Sequence, residues 1–227
     1  MTRFLLIRHA HSVANEAGVL AGRNPGITLS AHGIKQSIEM ARTLSGASID
    51  LLFSSPLERC IQTATPIART LGKRLLTSDA FIEMDYGTWS GRRLSELNRE
   101  AMWRTIRKNP SKVTFPQGES FLSAERRIFK ELNALSRRKP NGTIAIVTHG
   151  DIIKMAVNLV LGNDLDRFQR IIIDPASLTS FTWSPKERFT LNINQPLAAK
   201  VNAKKRERHR PSVRQSSRRQ LGGGSDV

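Results

Sequence analysis

Apolar residues along the chain fall into short unbroken runs and longer stretches at helical spacing. Phe4-Leu5-Leu6-Ile7 is the first run, and it passes straight into Arg8-His9. A run that short, carrying Phe and Ile, predicts a buried strand rather than a helix. Asp50 to Ser55 predicts a second strand, and Thr143 to Thr148 a third that again delivers a histidine, His149, at its end. Residues 73–78 predict a weaker strand, and 171–173, 177–183 and 189–193 predict closing edge or antiparallel strands.

Helices fill the intervals. Residues 13–27, with Gly18, Gly22, Pro25 and Gly26, read as loop. Ser30 is a candidate N-cap for a helix whose apolar positions are Ile34, Ile38, Ala41 and Leu44, ending at Gly46. The next helix is opened by Pro56, carries Arg59 in its first turn and is expected to kink or split at Pro66. One helix is predicted from Leu94 to about Lys108, one from Phe121 to Arg138 and one from Asp151 to Leu161 with a stop at Gly162. Strands alternating with helices predict an α/β fold with a mostly parallel sheet covered on both faces. No internal repeat is visible. The pattern ends near Gln195, which divides the chain into a domain of residues 1–195 and a tail of residues 196–227. Lacking apolar periodicity, the tail is expected to be disordered.

Composition narrows the setting. The 227 residues fit one α/β domain with an appendage. Cys60 is the only cysteine, so no internal disulfide is available, and no apolar run suits a signal peptide or membrane span. These features predict a cytoplasmic protein without a membrane span. The net charge is +17, and from Lys200 onward nine basic residues face two acidic ones. Body and tail are both basic, which favours anionic ligands such as phosphate esters. For the tail, weak contact with nucleic acid or an anionic surface is weighed against a solvated extension with no partner. A homodimer is an open expectation.

The candidate chemistry sits where strands end, because ligands of open α/β sheets bind outside the carboxyl ends of the strands. Arg8-His9, Ser54-Ser55 with Arg59, the acidic segment containing Glu83, and His149 all converge there. Two Arg and two His form a cationic pocket suited to a phosphoryl dianion. A neutral His ring is a competent nucleophile, and Arg8, Arg59 and His149 could stabilise charge on the phosphoryl oxygens. Glu83 is the candidate acid, provided its pKa is raised.

Read together, these stretches resemble the histidine phosphatase superfamily, also called phosphoglycerate mutase-like. The matching residues are Leu6 to Ser12 with Asn15; Leu29 to Gly33 with Gln36; Ser54 to Ala64; Glu83 to Gly91; Gly118-Glu119-Ser120; and Val147 to Gly150. Phe168-Gln169-Arg170 and Asp174 to Ser177 further resemble a bacterial branch labelled "probable phosphomutase". The resemblance implies a three-layer α/β/α sandwich and a small phosphomonoester substrate. It makes His9 the nucleophile, forming a phosphohistidine, and Glu83 the proton donor. Arg8, Asn15, Arg59 and His149 bind the phosphoryl group, and Ala21-Gly22 lie where a loop closes on it. No metal or other cofactor is implied. The implied activity is that of a phosphoric monoester hydrolase of the histidine acid phosphatase type.

Three departures qualify this. Ala10 stands where the family usually has Gly, and its methyl would crowd a turn that needed positive φ. His11 replaces a common acidic or amide residue. Met84 follows Glu83 where the mutases carry basic residues, which favours a phosphatase over a phosphomutase. A phosphate or nucleic-acid binding protein without catalysis is the reading from a different class. His11 and His32 read as loop or surface residues, Cys60 as a small buried apolar residue, and Tyr86 and Trp89 as packing residues able to line a pocket wall.

Overall fold

The structure, a computed structural model, describes residues 1–197. Its centre is a six-stranded sheet in the order β3-β2-β4-β1-β5-β6. The strands are β1 (Thr2–Arg8), β2 (Leu51–Ser54), β3 (Leu75–Thr77), β4 (Thr143–Thr148), β5 (Ser177–Trp183) and β6 (Arg188–Pro196). The first four are mutually parallel, while β5 pairs antiparallel with β1 and with β6. The fold is therefore α/β with a mostly parallel sheet.

Period-2 alternation explains the unbroken apolar run of β1. Phe4 and Leu6 enter one core with Ile144, Ile146, Phe121 and Ile153, while Leu5 and Ile7 enter a second with Met40, Cys60, Ala64 and Ile67. Both faces are buried, so no polar position interrupts the strand. The first core lies under α6 (Phe121–Arg138) and α7 (Gly150–Val160), the second under α2 (Ala31–Thr43) and α3 (Glu58–Leu71). Cys60 packs fully buried in the second, and burial pushes its thiol up to about 12.

Several expectations are corrected. The loop of residues 13–27 contains a short helix, α1 (Val13–Ala17), with a Ser12–Asn15 capping box. Ser30 caps α2 as predicted, but Ile34 and Ile38 are exposed and the buried stripe is Gly33, Ser37, Met40 and Ala41. Gly33 sets this rotation, because a Cβ there would stand 1.9 Å from the carbonyl oxygen of His11. The helix thus lies directly on the loop after β1. Helix α3 runs unbroken through Pro66. Proline deprives the Gln62 carbonyl of its helical partner, but Gln62 is exposed to water, and Ala64 and Ile67 anchor the flanking turns in the core.

The single helix predicted from Leu94 is two, α4 (Leu94–Leu97) and α5 (Ala101–Lys108). Leu97 and Ile106 are both buried in the first core. At about 100° per residue they would lie on opposite sides of one straight helix, and the break lets both reach the core. Residues 171–173 form no strand; the Ile173 carbonyl accepts a hydrogen bond from Arg8 instead. Strand β6 reaches Pro196 and Leu197 is buried, while the expectation for the basic stretch beyond lies outside the described residues. Among those residues no helix is long and apolar enough to cross a membrane.

Candidate active site

The parallel strands bring the predicted residues to one place. At the end of β1, the His9 amide donates to the carbonyl of Thr148 at the end of β4 (2.9 Å). The Ser55 amide, after β2, donates to the carbonyl of Val147 (2.9 Å). The Thr148 hydroxyl donates to the Phe81 carbonyl (2.7 Å), drawing the acidic segment over the strand ends. A cavity of about 730 Å³ opens above them, lined by Arg8, His9, Asn15, Ala21, Gly22, Arg59 and Glu83. His149 lies beneath it, fully buried, its ring centroid 5.3 Å from that of His9.

Hydrogen bonds fix the protonation of the two rings. Nδ1 of His9 lies 2.8 Å from the Ala10 carbonyl, which can only accept. The proton is therefore on Nδ1, and Nε2 keeps its lone pair. Burial, reinforced by Arg59 and Arg8, pushes the His9 pKa well below its ordinary value, so the ring is neutral. At His149, Arg59 Nη2 donates to Nδ1 (3.2 Å), which places the proton on Nε2, 2.8 Å from Ser55 Oγ. Burial, then Arg59, also holds His149 neutral.

The guanidinium groups are poised for an anion. Arg59 is 1% exposed, and its Nη2 also donates to the Gly22 carbonyl (2.9 Å). Among the described residues five buried side-chain polar atoms lack a partner, and two of them are the Nε atoms of Arg8 and Arg59. An orphaned buried donor is costly unless a ligand satisfies it. The amino end of α7 begins beside Arg8: a Cβ on Gly150 would come 3.3 Å from Arg8 Nε. His149, the cap residue, gives that end no side-chain bond, so free amides and the helix dipole add to the positive field. Asn15 spends its Oδ1 on the Ser12 amide and hydroxyl, which leaves its amide nitrogen as the available donor.

Glu83 is the acidic partner. Its Oε2 lies 3.7 Å from His149 Nδ1, and its Oε1 accepts from the Met84 amide (3.0 Å). Burial first, and Asp151 second, raise its pKa to about 7 against the pull of Arg59 and Arg8. Asp151 itself stays ionised: burial works to raise it, but Lys154 at 3.0 Å, the Tyr86 hydroxyl and Arg8 together outweigh this and lower it. Met84 is fully buried in the first core and puts nothing into the cavity.

Some participants were given no chemical role by the sequence. Asp151 lines the cavity and accepts from the Tyr86 hydroxyl (3.0 Å); its only signal was its place just after His149-Gly150. Glu119 accepts from Arg23 (2.9 Å) and Arg127 (2.8 Å), which in turn donate to the carbonyls of Ala80, Ile82 and Glu83. This clamp holds the backbone that carries Glu83. Trp89 and Tyr86 line the cavity as well as packing in the core. Ala10 has no positive φ, and its methyl is buried in the second core, so the expected crowding does not arise. His11 lies outside the cavity lining, bonded to Gln36 and Ser30.

The model of the histidine phosphatase superfamily (branch 1) matches residues 4–196. The chain belongs to that superfamily. Phosphoserine phosphatase 1 of Hydrogenobacter thermophilus is 32% identical over 197 residues, 86% of this chain and 92% of that protein. The 2,3-bisphosphoglycerate-dependent phosphoglycerate mutase of Thermoplasma acidophilum is 28% identical over 175 residues, 77% and 84% of the two chains. Among solved structures, a phosphoserine phosphatase mutant of Entamoeba histolytica in complex with phosphoserine superposes with a TM-score of 0.78 at 27% identity, covering 86% of this chain and 97% of that one. Membership of the histidine phosphatase superfamily points to a phosphatase or a phosphomutase. Among the described residues no group of three or more His, Cys, Asp or Glu is placed to hold a metal ion.

Proposed function

We propose that this protein is a metal-independent phosphomonoester hydrolase working through a phosphohistidine on His9. The observation that carries the reading is the His9 Nε2 lone pair, freed by the Nδ1–Ala10 bond, at the floor of a cavity holding two unsatisfied guanidinium Nε atoms. Nε2 attacks phosphorus in line with the ester oxygen. As the P–O bond breaks, the leaving oxygen takes the proton of the Glu83 carboxyl. Arg8, Arg59, the Asn15 amide and the free amides of α7 take the three equatorial oxygens. In the second step the Glu83 carboxylate accepts a proton from water, whose oxygen attacks phosphorus. The P–N bond breaks, His9 is restored, and inorganic phosphate leaves.

His149 seats Arg59 through Nδ1. For it to donate directly to the phosphoryl group its proton has to stand on Nδ1. The Ser55 hydroxyl permits this by turning to donate to Nε2.

The test is phosphate release from a panel of phosphomonoesters, in the presence of EDTA, by the wild type and the His9→Ala variant. Release by the wild type alone supports the reading. Release by both would sink the phosphohistidine, and transfer to a second hydroxyl from a bisphosphate primer would favour a phosphomutase.

A further inference from the structure

The cavity is larger than a phosphoryl group and a short side chain require. At about 730 Å³ it lies in the range that encloses ligands of drug size. Part of its wall is apolar, formed by Leu20, Leu94, Trp103 and Ile106. Leu94 is 39% exposed, and the half-buried Trp103 stacks on the buried Trp89 with centroids 6.1 Å apart. An exposed apolar wall inside a ligand cavity is a surface for the body of a ligand.

The same lining holds two further cations, both exposed to solvent. Arg107 stands on α5, and Arg170 closes the 3-10 turn of residues 165–170, which packs against α5. Both line the cavity, and among the described residues neither makes an ion pair. Lys154, by contrast, is spent on Asp151 and Gln169. Two unpaired guanidinium groups on neighbouring elements, facing one cavity, form a site for a second anion.

We propose that Arg107 and Arg170 form a distal anion subsite. On this view the substrate is an elongated phosphomonoester with an apolar or ring-containing body and a carboxylate or phosphate at its far end. The proposal rests on the phosphomonoesterase reading for its reaction, and a binding measurement tests it separately. It also gives a role to the Phe168-Gln169-Arg170 stretch, which the catalytic chemistry does not use.

The experiment compares ω-carboxyalkyl phosphates of increasing chain length, with phosphoserine as a short carboxylate, against alkyl phosphates of the same length. Binding is measured by calorimetry on the full-length His9→Ala protein, which keeps both arginines, and turnover on the wild type. At one chain length the carboxylate is expected to bind about tenfold tighter than its alkyl partner. The gain in kcat/KM appears in KM, and the ratio collapses to about one in Arg107→Gln/Arg170→Gln. Equal dissociation constants at every length, or a preference that survives the double variant, overturns the subsite. A preference in binding with no turnover of any ester by the wild type supports the subsite and counts against the hydrolase reading instead.

Discussion

The carbonyl of Ala10 accepts a hydrogen bond from Nδ1 of His9, the residue directly before it, at 2.8 Å. A backbone oxygen cannot donate, so this one contact decides which nitrogen of the ring is free to react. The same residue's amide donates to Thr63 Oγ1 (3.0 Å), and its methyl is buried against α3. Ala10 therefore belongs to the scaffold that aims His9.

Ala10→Gly is expected to leave turnover within about twofold of wild type while lowering stability by about 1–2 kcal/mol. The loss combines a buried methyl with the added freedom of the unfolded chain. Thermal unfolding and phosphate release in parallel check both halves, and a large gain in turnover would show that the methyl does obstruct the turn.

The pH profile follows from Glu83. Its carboxyl must carry a proton to release the alcohol, and its pKa is raised to about 7. His9 is held neutral well below the usual histidine range. Turnover should therefore be highest on the acid side of neutrality and fall as pH rises through about 7. Glu83→Gln should lose roughly 10²–10⁴-fold in rate for a substrate with a poor leaving group. A pH-rate curve that stays flat to pH 9 would remove Glu83 from the acid role.

Glu83 also weighs on stability. Its proton is held more tightly in the folded than in the unfolded chain, so between about pH 4.5 and 7 the folded state binds more protons and stability falls as pH rises. Glu83→Gln is thus expected to stabilise the protein by about 1–3 kcal/mol at pH 8 and by little at pH 4. Denaturant unfolding at the two pH values gives the comparison.

Asp151 is the second cause of the raised Glu83 pKa, after burial. In Asp151→Asn the basic limb of the profile should move to lower pH by part of the shift, since burial remains. An unmoved limb would mean that Lys154, 3.0 Å away, already neutralises Asp151.

Arg127→Ala breaks the clamp that holds the carbonyls of Ala80, Ile82 and Glu83. It is expected to lower kcat by about tenfold with KM nearly unchanged, because the acid is displaced while the phosphoryl cradle stays. Partial recovery in Arg127→Lys would separate positioning from general loss of fold.

The chain order alone dictated the alternation of strands and helices, the burial of β1 on both faces, and the delivery of Arg8-His9 and His149 to strand ends. These follow from local periodicity and from the handful of ways a parallel sheet can be covered. Tertiary packing decided what periodicity cannot see. It turned Ile34 and Ile38 outward because Gly33 sits against the His11 carbonyl, and it broke the 94–108 helix so that Leu97 and Ile106 share a core. It also gave residues 171–173 to Arg8 rather than to the sheet. The tautomers of His9 and His149, the two orphaned Nε atoms and the raised carboxyl of Glu83 are likewise tertiary facts. Apart from the His9 tautomer, set by the neighbouring Ala10 carbonyl, each arises from groups far apart in sequence, meeting where water is excluded.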